Sequence, residues 1–497
     1  MRVLLVHPSA LMHSELYLRL EPLGLERVGG AVRAAGHDVR LLDLQIFRHA
    51  DYFTELGRWR PDVVAFSLNY LANVPEVLDL AKATKTQRPD CFVFAGGHSV
   101  SFVADEVLAH GDGALDCIVR GEGEEAAPLV VAASRDGDTA LRGIPGVVTR
   151  AGAGPRARFI EDLDRHPPAR DLTRKRRKYF IGHMDPSASI ELTRGCPWDC
   201  SFCSAWTFYG RSYRKASTEA VVEEMAGIRE PNVFLVDDVA FIHPEHGLEI
   251  ADALERRGIR KHYYLETRAD VLLRNEEVFR RWARLGLDYM FLGIEALDDE
   301  GLKAFRKRVS PHTNFKALEV ARKLGIVVAI NIIADPAWDE ARFRHLAEWA
   351  LAVPEIVHVT VQTPYPGTEI WHTESRELTT LDYRLFDVQH AVLPTAMPLA
   401  RFYERLVETQ SVLNRKHLGF AALREVSILS AKLALRGQTN FLRMLWKFGS
   451  VYNAERQYRD HQRPTRYKMT PPAGRRTGDE LFVHGRTRDT AAATAGA

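Results

Sequence analysis

The sequence predicts an α/β protein of two parallel-sheet domains followed by a helical one, on three observations. Short apolar runs alternate with helical patterns over the first 130 or so residues, and the alternation resumes for six repeats from Ala188. Between the two series lies a stretch rich in Gly, Pro and Arg. Beyond Pro398 the pattern is helical and basic, with 14 Lys/Arg against 5 Asp/Glu from Arg401 to Thr470. A βαβα rhythm implies parallel sheets covered by helices.

In the first series "RVLLV", "DVRLLDL", "DVVAFSL", "CFVFAGG" and "DCIV" read as strands, because strands buried on both faces lack polar alternation. Helical patterns such as "VPEVLDLAKATKT" separate them, giving a doubly wound sheet over 1–140. Residues 141–185 read as a linker carrying one small hairpin, and "RKRRK" within it as solvated surface. The second series, 186–395, has strand candidates in "ASIELT", "NVFLVDD", "HYYLETRAD", "YMFLGIEA", "VVAINIIAD" and "IVHVTVQT". Six repeats fit a partial (β/α)6 barrel better than a closed eightfold one. Helices fill 396–470, and 471–497 reads as a disordered tail.

At 497 residues the chain exceeds one core, and its formal charge of +2 gives no reason to expect a nucleic-acid partner. No apolar stretch reaches the roughly 18–20 residues that span a bilayer, so a cytoplasmic protein is expected. Its five cysteines are too few for a disulfide framework. Cys91 and Cys117 fall inside strand patterns and read as buried small hydrophobes.

The other three stand in "TRGCPWDCSFCSAW", where Cys196, Cys200 and Cys203 have the spacing C-x3-C-x2-C. Three thiolates can hold three irons of a 4Fe-4S cube and leave the fourth open to a small ligand. The alternative is a zinc site completed by His183.

C-x3-C-x2-C directly after the first strand of a βα barrel resembles the radical S-adenosylmethionine superfamily, and Phe202 matches its usual aromatic. The resemblance implies that Asp237 and Asp238 meet the ammonium of S-adenosylmethionine, and that Glu266 and Arg268 lie near its ribose and carboxylate. Glu295, Asn331 and "TPYPGT" complete the implied set.

The first domain resembles the cobalamin-binding, Rossmann-like domains of radical enzymes in three phrases: "SLN" (Ser67, Asn69), "GGHSVS" (Gly96, Gly97, Ser99) and "RGEGE" (Gly121, Glu122, Gly123). Gly allows a backbone to approach a flat ring closely. The D-x-H-x-x-G motif is absent, with Gln45 where the cobalt-ligating His would stand, and His98 is open to a role as a plain loop residue.

Together the domains resemble class B radical methylases, which implies one S-adenosylmethionine spent to methylate cobalamin and another cleaved to a radical that activates an sp3 carbon. A closer resemblance, to hopanoid C-3 methylases, rests on "HSELYLRLEPLGLERVGGAVRAAGHDVRLLDLQIF", the cysteine segment and "LALRGQTNFLRMLWKFGSVYNAERQ". It implies a lipid substrate, an electron donor such as flavodoxin or ferredoxin, and peripheral contact at the inner membrane face through "FLRMLWKF" (Phe441, Leu442, Met444, Leu445, Trp446, Phe448). Core packing of those apolar residues is the plainer reading. A cobalamin-dependent radical cyclase or oxidase of a tetrapyrrole shares both domains, and a cobalamin sensor shares only the first.

Overall fold

A computed structural model describes residues 1–12, 14–416, 420–472 and 478–484. The first sheet contains β1 (Arg2–His7), β2 (Asp38–Asp43), β3 (Val63–Ser67), β4 (Phe92–Gly96) and β5 (Cys117–Val119). These five are parallel in the order β2-β1-β3-β4-β5. The order reverses between β1 and β3, and the crevice at such a switch point is where doubly wound sheets bind ligands. Cys91 and Cys117 are buried, as expected.

The segment 141–185 is more than a linker. Its hairpin, β6 (Val147–Thr149) and β7 (Gly152–Ala153), joins antiparallel to the edge of β5 and covers that edge.

The second sheet is parallel throughout in sequence order: β8 (Ser187–Ile190), β9 (Asn232–Leu235), β10 (His262–Arg268), β11 (Leu287–Glu295), β12 (Val327–Ala334) and β13 (Ile356–Val361). It is the six-stranded partial barrel expected. Its open flank, between β8 and β13, is met by the chain's own beginning. Leu18–Arg19 pairs with Phe180–Ile181 just before β8, and the Tyr17 ring meets His358 of β13 edge-on at 5.1 Å.

The interior of the barrel's lower half is aromatic. Phe234, Tyr264 and Tyr289 sit on neighbouring strands with centroids 4.7 and 4.9 Å apart, and Leu18, Leu20, Phe291 and Ile356 pack against this group. Inward positions fall on alternate residues, as strand geometry requires.

Helix Leu399–Arg415 buries Phe402, Tyr403 and Leu406 against the barrel. Helices Phe420–Leu435 and Asn440–Val451 follow. Phe441 is buried, whereas Leu442 is 41% and Trp446 83% exposed; the side chains of Leu445 and Phe448 lie outside the described residues. The disordered tail expected over 471–497 is corrected in part. Residues 478–484 form a short 3-10 turn and bury Phe482, Val483 and His484, while 473–477 and 485–497 lie outside the described residues.

Helix Ala454–Asp460 is tied down by His390, whose Nδ1 lies 2.9 Å from Asp387 and whose Nε2 lies 3.5 Å from Asp460. Burial alone would lower its pKa, but the two carboxylates outweigh burial and raise it to about 9. A raised histidine pKa stabilises the fold below its unfolded value and ceases to do so as pH rises through about 9. Thermal melts should therefore show a stability loss between pH 7 and 10 that His390→Gln does not show.

Candidate active site

The cysteine loop follows β8 and is built on Gly195, which has φ +102° and whose absent Cβ would lie 2.3 Å from the Ser212 carbonyl oxygen. Only glycine fits there. Asp237, at the end of β9, accepts from the Leu192 and Thr193 backbone N–H groups at 2.8 and 3.1 Å and from the Thr193 hydroxyl at 2.6 Å. It is fully buried with both oxygens engaged, so it anchors the loop and is not aimed at a cofactor ammonium.

Asp238 differs. One carboxylate oxygen accepts from Gly195 N–H at 2.9 Å, and the side chain is accessible although protein surrounds it, so it faces an internal space. Burial pushes its pKa up to about 6.

Burial first, and then the neighbouring thiols, push up the pKa of Cys196 and Cys203, so the three sulfurs stand close together. Three thiolates brought this close are costly unless a metal compensates their charge. Nitrogen donors approach the sulfurs: Ala205 N–H lies 3.4 Å from Cys203 Sγ and an Arg268 nitrogen 3.7 Å from Cys200 Sγ. Such contacts suit thiolates ligating iron. The three residues fit a 4Fe-4S cluster. His183 lies elsewhere, edge-on to Tyr289 at 5.6 Å with Met184 in the barrel's lower aromatic group, which removes it as a fourth ligand for zinc.

Arg268 serves this loop as well. Its guanidinium stacks on Trp198 at 4.5 Å, binds Asp270 at 2.9 Å and donates to the Lys307 carbonyl at 2.7 Å. The protein has taken up much of its capacity, which places it behind the cluster and not free in a ribose pocket. Glu295 sits at a bulge between β11 and β12 with φ +66° and pairs with Lys307 at 2.9 Å, another engaged carboxylate. Lys307 thus ties Glu295 and Arg268 together.

Groups with free capacity remain. Among the described residues the Glu266 side chain receives only a long 3.3 Å hydrogen bond, from the Tyr264 hydroxyl, and burial, aided by the charges of Asp238 and Glu295, pushes its pKa up to about 7. Asn331 donates to the Thr360 hydroxyl at 2.8 Å, while its buried Oδ1 has no hydrogen-bond partner among the described residues. Phe202 packs edge-on to Phe305 at 5.3 Å beside Ala296 and Ile333. An orphaned acceptor, two accessible carboxylates and an apolar wall at one barrel mouth suit a zwitterion carrying a heterocycle.

Opposite this mouth, two adjoining cavities of about 270 and 230 Å³ open at the carboxyl edge of the first sheet. Ser67, Asn69, Gly96, Gly97, Gly121, Glu122 and Gly123 line the larger, and Ser99 stands behind, donating to the Asn69 carbonyl at 2.6 Å. Gly24, with nothing within 4 Å of its missing Cβ, leaves a flat opening on the helix side. The space and its glycine walls fit a bulky planar ring.

Two of these lining residues are also engaged by the protein itself. Glu122 has both oxygens bound, to Arg194 at 2.6 Å, Arg214 at 2.8 Å and Ile160 N–H at 2.9 Å, so its carboxylate joins domains. Gly121 (φ +82°) is glycine because a Cβ would meet His484 Nε2 at 2.5 Å. His98 Nε2 lies 2.8 Å from the Ser204 hydroxyl, beside the cluster loop. Gln45 lines the smaller cavity and donates to the Leu20 carbonyl at 3.1 Å. Sequence reading missed Tyr70, which follows the "SLN" phrase; it is 47% exposed yet enclosed by protein, with Glu266 near enough to raise its pKa after burial.

The comparisons agree with this geometry. The B12 binding domain model matches residues 11–131 and the Radical SAM superfamily model residues 190–350. A hopanoid C-3 methylase of Methylococcus capsulatus is 61% identical over 489 residues, covering 97% of this chain and 95% of that protein. The chain belongs to the hopanoid C-3 methylase family. The anaerobic magnesium-protoporphyrin IX monomethyl ester cyclase of Rubrivivax gelatinosus is 26% identical, covering 82% of this chain and 76% of that one. Two solved radical enzymes share the fold. OxsB has a TM-score of 0.63 at 16% identity, covering 93% of this chain and 80% of its own. TsrM from Kitasatospora setae has a TM-score of 0.60 at 18% identity, covering 76% and 77%. The enzyme is thus a cobalamin-dependent radical S-adenosylmethionine methyltransferase, with a 4Fe-4S cluster, S-adenosylmethionine and cobalamin as cofactors.

Two outcomes follow from the site's electrostatics. Cys200→Ala should abolish the visible absorbance of the reconstituted cluster and S-adenosylmethionine cleavage while leaving hydroxocobalamin binding in place. A carboxyl whose folded pKa is raised contributes stability below its unfolded value, lost as pH rises through the folded one. Cofactor-free enzyme should therefore lose melting temperature between pH 4.5 and 7.5, and Glu266→Gln should shrink that loss by a few degrees.

Proposed function

We propose that this enzyme methylates C-3 of a hopanoid, and that the barrel's aromatic interior forms the apolar floor beneath the rigid ring system. The reading is carried by end-to-end likeness, 61% identity over 97% of the chain, to a hopanoid C-3 methylase. The site supports it. The lower barrel packs Phe234, Tyr264, Tyr289 and Phe291 together in its interior, an apolar floor beneath the mouth that suits an uncharged polycyclic substrate.

In this reading Cys196, Cys200 and Cys203 hold the cluster. Phe202, Asp238, Glu266 and Asn331 contact S-adenosylmethionine, and Asp237, Arg268 and Glu295 brace them. Ser67, Asn69, Gly96, Gly97, Ser99 and Gly123 border the cobalamin. When bound, the cluster supplies an electron, S-adenosylmethionine the methyl group and the hydrogen-abstracting radical, and cobalamin the methyl carrier. The chain's part is to orient these groups and exclude water between the two mouths; no residue need serve as general base, since the substrate hydrogen leaves as an atom.

The substrate resides in a membrane, yet no described helix is long and apolar enough to cross one. The helices Phe420–Leu435 and Asn440–Val451 offer a route. They carry four Lys/Arg against one Glu, and they expose Leu435 at 89% and Trp446 at 83%. A basic face with projecting apolar side chains suits an anionic leaflet. A small acidic redox protein of the flavodoxin or ferredoxin class would supply the electron.

The decisive test is expression in a hopanoid-producing host without 3-methylhopanoids. A 3-methylhopanoid appearing only with the gene, and lost with Cys203→Ala, supports the reading; unchanged hopanoids beside another methylated metabolite overturn the substrate. In flotation assays the full chain should rise with anionic vesicles at low salt, and Trp446→Ser should lower the bound fraction at least threefold.

A further inference from the structure

The last described residues, 478–484, occupy the seam between the cofactor loops and take part in no function derived so far. The short helix Ala205–Phe208 begins two residues after Cys203. Trp206 donates to the Cys200 carbonyl at 3.0 Å, so this helix moves with the cluster loop. The tail runs along it: Phe482 packs edge-on to Trp206 at 5.8 Å, and Val483 N–H donates to the Thr207 carbonyl at 3.0 Å. His484, buried and stacked on Phe159 at 4.7 Å, then spans the remaining gap.

One ring nitrogen, Nδ1, lies 2.6 Å from the Phe208 carbonyl oxygen; the other, Nε2, lies 3.1 Å from the backbone N–H of Glu122. A carbonyl only accepts and an amide N–H only donates, which fixes the ring. It is neutral, with its hydrogen on Nδ1 and a lone pair on Nε2. The two partners belong to different cofactor loops. Phe208 ends the helix behind the cysteines, and Glu122 sits between Gly121 and Gly123 in the loop bordering the larger cavity. The ring rests where a Cβ on residue 121 would stand.

We propose that His484 is a positioning residue for cobalamin: it accepts from Glu122 N–H and donates to Phe208, locking the glycine loop of the first domain to the cluster loop of the barrel. The C-terminal segment is thereby part of the cofactor site. Without the Nε2 acceptor the Glu122 N–H is buried and unpaired, which the loop relieves only by moving. The inference rests on the enzyme's use of cobalamin and not on the identity of the lipid, so a wrong substrate leaves its test intact.

The test uses full-length enzyme with reconstituted cluster, and hydroxocobalamin as the probe. Gln places a side-chain oxygen near the position of Nε2 and keeps the acceptor for Glu122; Asn places its amide near Nδ1 and keeps only the donor to Phe208. His484→Asn and His484→Ala should raise the hydroxocobalamin Kd about tenfold, and His484→Gln should stay within threefold of the unmodified enzyme. Iron content should stay within twofold in all three, since the cysteines and not the tail hold the cluster. A His484→Gln enzyme no better than His484→Ala overturns the proposal, as do Kd values within twofold throughout. Joint loss of cluster and cobalamin binding also overturns it, by reducing His484 to core filling. If His484→Ala does not fold, the Asn and Gln pair decides.

Discussion

Glu122 holds the molecule's two halves in register. A buried carboxylate is costly to desolvate, and only a full set of donors makes it tolerable. Here Arg194 and Arg214 come from the barrel side and Ile160 N–H from the connecting segment. Arg194 in turn binds Glu191 at 2.8 Å and Glu124 at 2.9 Å. Removing one partner from such a buried set costs about 3–5 kcal/mol, far more than an exposed pair. Radical chemistry needs this rigidity, because methyl donor, radical source and substrate carbon must share one small space between domains that sequence alone leaves independent.

The fold was legible because burial on both faces writes itself into composition. All eleven strand runs singled out in the two series became strands, and the three-cysteine spacing fixed the cluster loop. What escaped reading were the partners of charged groups. Asp237, Glu122, Arg268 and Glu295 stand at strand ends, where a cofactor-contacting residue and a loop anchor look alike in one dimension. Only the partners decide: Thr193 for Asp237, Arg194 and Arg214 for Glu122, Lys307 for Glu295. Asp238, adjacent to Asp237, keeps its access to the inner space. Tail residues 478–484 were misread since their composition is polar and their few apolar side chains show no period, although Phe482 and His484 find buried places.

The barrel's polarity is graded in a way that matches the task. Its mouth carries Asp238, Glu266 and Asn331, while aromatic rings line the region below. In the proposed reading a zwitterionic reagent and an uncharged ring system would therefore meet surfaces of their own kind.

Residues 14–20 belong in sequence to one domain and in space to the other. Leu18–Arg19 forms its ribbon with Phe180–Ile181, and Tyr17 reaches His358 across the barrel's gap. Neither half is therefore a self-sufficient module: cut after residue 140, the barrel loses a wall and the amino-terminal fragment carries that wall as a loose flap. Any exchange of parts between such enzymes, by recombination or in the laboratory, has to move this amino-terminal segment with the barrel it seals.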